Sequence, residues 1–222
     1  MTSPAKTSSN QKSLWLLAGF GIIAILVLNE EVPLESNSWV NTSNGSLAAE
    51  YVRQGRIPPA VDLPIQNIPQ ETNVWCWAAV SQQIIMATKG QQGTPAQCAL
   101  VGIASGMAPQ DCCQNKGRCA RTGSLQEIQG LIQHFGGRSS SISAPTDPLT
   151  LYQTLANGHA IVLAVQSSPY AGHVVVLRGM AWQPGPNGLE PVLFINDPMA
   201  YFTQPVPFRS IAQYWQAAIV IS

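Results

Sequence analysis

The hydrophobic period of the sequence changes once, from helical to extended, and this change limits the fold more than any other feature. Three segments before residue 157 carry helix signals: residues 74–88, 124–137 and 148–156. Four short β-branched runs follow, divided by Pro/Gly turns such as QPGPNG: residues 159–166, 173–182, 190–197 and 216–222. Helices first and strands later predict an α+β domain.

Local signals place the ends of the predicted helices. In the first, Trp77, Val80, Ile84 and Ala87 recur at steps of three, four and three residues, which is one face of a helix that ends before Gly90. The two later helices open on N-capping patterns, namely Ser124 with Glu127 and Asp147 before Pro148.

An apolar run near the N-terminus indicates where the chain goes. Leu14 to Leu28 contains no polar side chain; Lys6 and Lys12 precede it, and Glu30 and Glu31 follow. The positive flank predicts that the N-terminus stays in the cytosol. A helix of this length reaches about 22 Å, between the core of a signal peptide and a short membrane anchor. No small-x-small cleavage signal follows closely, so we favour an uncleaved signal anchor over a cleaved signal peptide. Either one exports the rest of the chain.

The chain is predicted to have one compact domain behind this segment. Residues 29–60 are rich in Asn, Ser, Glu and Pro and lack periodicity, which is typical of a linker. Eleven basic and eleven acidic residues cancel, so no overall charge favours nucleic acid. The predicted organisation is a cytosolic tail (1–13), a signal anchor or signal peptide (14–28), a linker (29–61) and the domain (62–222).

Cys76 stands apart from the other four cysteines, which crowd into the segment from Cys98 to Cys119. It falls in the first turn of the first predicted helix. Unpaired N–H groups at a helix N-terminus favour a thiolate, the reactive form of cysteine. Cys76 is therefore a candidate nucleophile, with a buried small apolar side chain as the ordinary alternative.

A nucleophile of this kind needs a base and a group that orients the base. His134 lies within a predicted helix, whereas His159 and His173 each begin a predicted strand, and position alone does not separate these two. The candidates for orienting the base are Asn196 and Asp197 at a strand end. Adjacent strand residues point to opposite faces, so at most one of the two can face a histidine.

Three segments carry a resemblance to papain-like cysteine peptidases. The stretch QETNVWCWAA resembles the active-site segment of that family, where a glutamine six residues before the nucleophile completes the oxyanion hole and a tryptophan and a small residue follow the cysteine. Gln70 and Cys76 have this spacing, and Trp77 and Ala78 follow.

GHVVVLRGM is similar to the family's segment around its catalytic histidine, a Gly-His pair followed by an apolar strand and a glycine, here Gly179. This selects His173 over His159. The ending INDP resembles bacterial relatives of the bacteriocin-leader-peptidase and effector-protease type, which implies Asp197 as the orienting residue with Asn196 as the alternative. The resemblance covers roughly residues 62–222.

The resemblance implies a helical left lobe around Cys76, an antiparallel β right lobe carrying His173 and Asp197, and a substrate cleft between them. It implies hydrolysis of peptide bonds through a thioester on Cys76. Gln70 and the Cys76 backbone N–H would hold the oxyanion, each donor contributing on the order of 3 kcal/mol. We expect a monomer that acts on a peptide or protein substrate without a metal or cofactor. The alternatives are an acyltransferase on the same scaffold and a non-catalytic displayed binding module.

The clustered cysteines predict two disulfides, which persist outside the cytosol. A bridge between the adjacent pair would be strained, which leaves two arrangements: 98–112 with 113–119, or 98–113 with 112–119. A structural zinc site is the competing interpretation, although the segment has no paired C-x₂-C spacing.

Overall fold

The computed structural model describes residues 50–51, 53–168, 171–202 and 204–222. The predicted membrane segment and most of the predicted linker lie outside these residues. Within the described ranges, no helix combines the length and the apolar character that crossing a bilayer requires.

The first half of the domain is a helical lobe built around one long helix. Its helices are α1 (Cys76–Lys89), α2 (Gln97–Ala104), α3 (Pro109–Gln114) and α4 (Leu125–Leu131). The single-turn 3₁₀ segments are Gln91–Gly93 and Lys116–Cys119, and α4 continues into a π-helical turn at Ile132–Gly136. The predicted capping box is present, since Ser124 and Glu127 exchange side chain-to-backbone hydrogen bonds.

The second half is a seven-stranded antiparallel sheet. Its strands are β1 (Val61–Asp62), β2 (Ser140–Ser143), β3 (Ile161–Ser168), β4 (Ala171–Gly185), β5 (Gly188–Asn196), β6 (Val206–Pro207) and β7 (Trp215–Ile221). The strand order is β2-β7-β3-β4-β5-β6, and β1 pairs with β4 outside this path. Helices α5 (Pro148–Ala156) and α6 (Phe208–Ala212) complete the domain.

Alternation along the central strands divides the apolar side chains between two cores. Val174 and Val176 pack in the cluster that contains Trp75 and the α1 side chains. Val175 and Leu177 pack in a second cluster with the side chains of α5 and α6. Both faces of β4 are therefore covered, which explains why its sequence is an apolar run rather than an alternating pattern. The helical lobe thus packs on one face of the sheet that carries His173.

Gly179 is required by a close approach of two strands. Asp62 of β1 pairs with Gly179, and a Cβ at this position would lie 2.4 Å from the Val61 carbonyl oxygen. No side chain fits there, so the glycine allows the N-terminal strand of the domain to join the sheet.

The four clustered cysteines form two disulfides, Cys98–Cys113 and Cys112–Cys119. This is the second of the two predicted arrangements. Because the four sulfurs are bonded in two pairs, no thiolate of this segment is left to bind zinc, and the zinc interpretation is wrong. The bridges tie α2 to α3 and α3 to the segment that leads toward α4, and the short helices of this lobe are thereby cross-linked.

Some elements differ from their predictions. α1 begins at Cys76 rather than Val74, because Thr72 to Trp75 form a turn in which the Trp75 N–H donates to the Thr72 carbonyl. The short helices α2 and α3 and strand β2 had no clear sequence signal. β2 is rich in serine and is held by its pairing with β7 at the far end of the chain, which no local pattern could indicate.

Candidate active site

Cys76 is the first residue of α1, and Trp75 occupies the N-cap position without a side-chain capping bond. The thiol is half-exposed. All five cysteines lie in the described part of the chain, and among them Cys76 alone is outside a disulfide. The structure thus places one free thiol at the positive end of a 14-residue helix.

The two tryptophans beside Cys76 anchor the disulfide-linked segment. The Trp75 indole N–H donates to the Cys119 carbonyl at 3.1 Å, and the Trp77 indole N–H donates to the Arg121 carbonyl, also at 3.1 Å. The Arg121 guanidinium lies 4.9 Å from the centroid of the Trp77 ring, within range of a cation–π contact. The start of α1 and one wall of the site are therefore joined on both sides of the thiol.

His173 and Asp197 form a buried pair on the sheet. The His173 Nε2 lies 2.7 Å from the Asp197 Oδ1, and each residue is 3% exposed. Burial lowers the pKa of His173, but hydrogen bonds with the Asp197 carboxylate and with the Cys76 side chain outweigh it and raise the pKa from 6.5 to about 9. The imidazole therefore carries a proton at neutral pH and links the thiol to the carboxylate.

The Asp197 carboxylate is enclosed by backbone N–H groups of the residues that follow it. Met199 N–H donates to Oδ1 at 2.9 Å, and Tyr201 and Phe202 N–H donate to Oδ2 at 2.6 and 3.2 Å. Burial raises the pKa of Asp197, but the hydrogen bonds from His173 and Met199 are among the contacts that bring it below 3.8. This wrapping places a non-glycine residue, Ala200, at a positive φ of 55°.

The other candidates lie elsewhere. The Asn196 side chain is 4% exposed and points away from His173, donating to the Ile65 carbonyl at 2.8 Å. His134 is exposed and packs edge-on against the neighbouring phenyl ring. His159 lines a separate cavity with Ile84 and the C-terminus. His173 is the histidine that the structure brings to Cys76.

Gln70 lies in the segment that leads to α1. One N–H of its side-chain amide donates to the Thr72 carbonyl at 2.6 Å, which leaves the second N–H of Nε2 for another acceptor. Its Oε1 is buried and, in the structure as described, has no hydrogen-bond partner. The backbone N–H of Gln70 donates to the Pro198 carbonyl at 3.2 Å, directly after Asp197.

A cavity of about 500 Å³ opens beside Cys76 and His173. Its walls are largely apolar and come from both halves of the domain: Thr122 to Leu125 on one side, and parts of β3, β4 and β7 on the other. Gly123 lies flat against the Trp77 ring, where a Cβ would be 2.2 Å from Cδ2. An extended peptide could therefore approach the thiol along a wall that has no side chain at this point.

These features agree with a family match. A family model described as papain-like cysteine protease AvrRpt2 matches residues 59–218, well over half of the chain. The chain belongs to this family of papain-like cysteine proteases. The match confirms the predicted cysteine peptidase class and the predicted α+β, papain-like fold. No match was found among curated proteins.

Several solved structures are similar to this protease at low identity. A putative C39-like peptidase from Bacillus anthracis is 12% identical with a TM-score of 0.46, covering 74% of this chain and 98% of its own. SERA5E from Plasmodium falciparum is 11% identical with a TM-score of 0.48, covering 70% and 88%. UfSP from C. elegans is 13% identical with a TM-score of 0.42, covering 80% and 36%. The family assignment rests on the sequence match and not on these scores.

The protease site includes residues that the sequence did not indicate. Buried amides hold the segment that leads to α1: Gln83 donates to the Asn67 side chain, and Gln97 donates to the Pro69 carbonyl and to the Gln82 side chain. The sequence does contain one signal of these contacts. Gln83 is a polar residue on the apolar face of α1, next to Ile84, and a buried glutamine there needs hydrogen-bond partners. Within the described residues, no group of three or more acidic, histidine or cysteine side chains could hold a metal ion.

Proposed function

We propose that the protease hydrolyses peptide bonds with Cys76 as nucleophile, His173 as acid and base, and Asp197 as the residue that orients His173. The observation that carries this proposal is the grouping of three side chains: the free thiol at the start of α1, His173 lining the same cavity as this thiol, and Asp197 at 2.7 Å from His173.

The orientation of the imidazole determines the path of the proton. Because Nε2 faces the Asp197 carboxylate, Nδ1 is the nitrogen left for Cys76. In the resting pair the proton of Cys76 already lies on Nδ1 of the imidazolium, and the Cys76 thiolate forms a bond to the substrate carbonyl carbon. The C–N bond then breaks, and His173 returns the proton to the leaving amine. Water attacks the thioester in the second half of the cycle, with His173 taking and then donating one proton.

The developing oxyanion needs donors near the sulfur. The Cys76 backbone N–H belongs to the first turn of α1 and has no intrahelical acceptor. Gln70 offers the second hydrogen of its amide, since the first is bound to the Thr72 carbonyl. These two groups are the proposed oxyanion hole, and each such donor contributes on the order of 3 kcal/mol to transition-state stabilisation.

Digestion of a peptide library, read by mass spectrometry, tests this activity. The wild-type chain should produce new termini in H₂¹⁸O with ¹⁸O in the new carboxylates, and Cys76→Ala should produce none. An acyltransferase would instead attach an added amine or thiol to the acyl fragment and leave little ¹⁸O. Identical cleavage by Cys76→Ala would contradict the proposal.

We also propose that the domain is exported, with residues 14–28 as its membrane anchor or as a cleaved signal. The apolar run, its basic flank and the two disulfides support this. A C-terminal reporter active only outside the cytosol should be active, and N-terminal sequencing of the mature chain separates anchor from cleaved signal. Light scattering should give the mass of a monomer. A C-terminal reporter that is active only in the cytosol should give no signal, and a signal from it would contradict export.

A further inference from the structure

The segment from Ile65 to Thr72, here called the oxyanion loop, is held by a buried glutamine from the helical lobe. Gln97, the first residue of α2, is 1% exposed. Its Nε2 donates to the Pro69 carbonyl at 2.8 Å, and its Oε1 accepts the Glu71 N–H at 2.9 Å. One side-chain amide therefore binds the backbone immediately before and immediately after Gln70.

Both bonds have an unambiguous direction, because a backbone carbonyl can only accept and a backbone N–H can only donate. The second hydrogen of Gln97 Nε2 has its own acceptor, the Gln82 Oε1 at 3.1 Å, and Gln82 in turn donates to the Pro95 carbonyl. The orientation of the Gln97 amide is thus set by three partners. A buried, fully bonded amide of this kind holds its partners within a narrow range of positions.

The rest of the oxyanion loop has other attachments. Gln83 donates to the Asn67 side chain and to the Ile68 carbonyl, each at 3.1 Å. On the sheet side, Asn196 donates to the Ile65 carbonyl and Asn67 donates to the Asp197 carbonyl. The stretch from Pro69 to Glu71 is also held by a partly exposed ion pair between Lys116 and Glu71 and by the Gln70 N–H, which donates to the Pro198 carbonyl. Among the described contacts, Gln97 is the one buried side chain that bonds to the backbone of this stretch.

The direction of the Gln70 amide depends on this stretch. Its Nε2 is bound to the Thr72 carbonyl, two residues along the same loop, so a rotation of the backbone around Gln70 turns both the side chain and its acceptor. Oxyanion donors act only when they lie about 2.7–3.1 Å from the developing charge, and displacements near 1 Å lower rates by about a hundredfold.

We propose that Gln97 is a positioning residue that aims the Gln70 amide at the oxyanion. The inference rests on the proposed role of Gln70 in the hydrolytic cycle. Gln97 touches neither Cys76 nor His173 in any described contact, so its removal should leave the nucleophile intact. It should lower kcat and leave KM nearly unchanged, since it acts through a contact made in the transition state.

The test is a double-mutant cycle in the full-length chain, with an internally quenched peptide chosen from the library digest. Gln97→Leu removes the hydrogen bonds to Pro69 and Glu71 while keeping a side chain of similar volume. The second variant, Gln97→Glu, keeps an acceptor for the Glu71 N–H but loses the donor to the Pro69 carbonyl. Gln129→Leu is the matched control, because Gln129 is a half-buried glutamine that joins α4 to β2 by bonds to Ser140. Iodoacetamide labelling of Cys76 reports whether each variant keeps its nucleophile.

Gln97→Leu should lower kcat by about tenfold to a hundredfold, with KM and the Cys76 labelling rate within about twofold of wild type. In a Gln70→Ala background it should lower kcat by less than about twofold further, because the group it positions is absent. Gln97→Glu should lie between wild type and Gln97→Leu. Gln129→Leu should match wild type in kcat.

An equal loss of kcat in both backgrounds would overturn the inference, since Gln97 would then act through general stability. Unchanged kcat in Gln97→Leu, with a large loss in Gln70→Ala, would overturn it while leaving the proposed function in place. No loss in Gln70→Ala would remove the oxyanion role of Gln70 and this inference together.

Discussion

Asp197→Asn is the substitution whose effect the structure specifies most closely. Each carboxylate oxygen accepts two hydrogen bonds, Oδ1 from His173 and Met199 N–H, and Oδ2 from Tyr201 and Phe202 N–H. An asparagine has one acceptor oxygen and one donor group. Whichever way the amide turns, its NH₂ meets two groups that also donate.

The magnitude follows from the contacts that are lost. With the amide oxygen toward His173, the NH₂ faces the N–H groups of Tyr201 and Phe202, which are also donors. These N–H groups lose their acceptor and must bind water instead. The free energy of unfolding should then fall by about 1–3 kcal/mol. The imidazolium keeps an acceptor but loses its charged partner, a difference of about 1.5–3 kcal/mol, so kcat/KM should fall by about tenfold to a hundredfold.

The assay is the pH dependence of kcat/KM for the quenched peptide. In the wild type, the hydrogen bond that His173 donates to Asp197 contributes to the raised pKa of His173, about 9, so activity should fall on the alkaline side as the imidazolium loses its proton. Asp197→Asn lowers the pKa of His173, and this limb should move to lower pH. Labelling of Cys76 should begin at higher pH, because the thiolate–imidazolium pair is weaker.

Asn196→Ala is the matched control. Its buried amide binds the Ile65 carbonyl, so its loss should lower stability by about 1–2 kcal/mol without moving the alkaline limb. A wild-type alkaline limb and kcat/KM in Asp197→Asn would refute the reasoning. A limb moved by Asn196→Ala instead would make Asn196 the orienting residue.

Three further predictions concern the surroundings of the site. Gly123→Ala should lower the free energy of unfolding by about 1–3 kcal/mol and lower kcat/KM, because the added Cβ meets the Trp77 ring. The control is Gly130→Ala on α4, where the added Cβ meets nothing, and it should be neutral or stabilising in the same denaturant titration. Equal effects of the two substitutions would contradict this. Ala200→Gly should raise the unfolding midpoint by the equivalent of about 1 kcal/mol, since it relieves a positive φ; a lower midpoint would contradict the strain. Protonation of His173, whose pKa is raised to about 9, should contribute fully to the free energy of unfolding below pH 6.5, and this contribution should be lost as the pH rises through about 9. A free energy of unfolding that stays constant over that range in the wild type, or that falls equally in His173→Gln, would contradict this.

The sequence predicted those parts of the fold whose signals are local. α5 was predicted with its observed ends, because the Asp147 carboxylate accepts the Leu149 and Thr150 N–H groups and Pro148 follows the cap. β2 was missed because its pairing with β7 joins residues about 80 positions apart, and its serines carry no apolar alternation. Local chemistry is readable in the sequence, whereas long-range pairing of a polar strand is not.

The same distinction applies to the site. Cys76 and His173 stand in motifs, and so does Gln70, which is why pattern and resemblance could select them. Gln97 contacts residues 26 and 28 positions away, and nothing near it in the sequence indicates those partners. The backbone donors around Asp197 are local, but they depend on a positive φ at Ala200, which an alanine does not signal.

The central claim is that Cys76 carries the acyl group, and an acid-quenched turnover measures this directly. The full-length chain should be mixed with an excess of the internally quenched peptide substrate, and the reaction should be stopped in acid within the first turnover. The protein is then digested without reduction and examined by mass spectrometry. The peptide containing Cys76 should gain the mass of the N-terminal substrate fragment, and the same peptide from His173→Ala should gain it far more slowly. An acyl fragment on another residue, or rapid turnover in Cys76→Ala, would contradict the account.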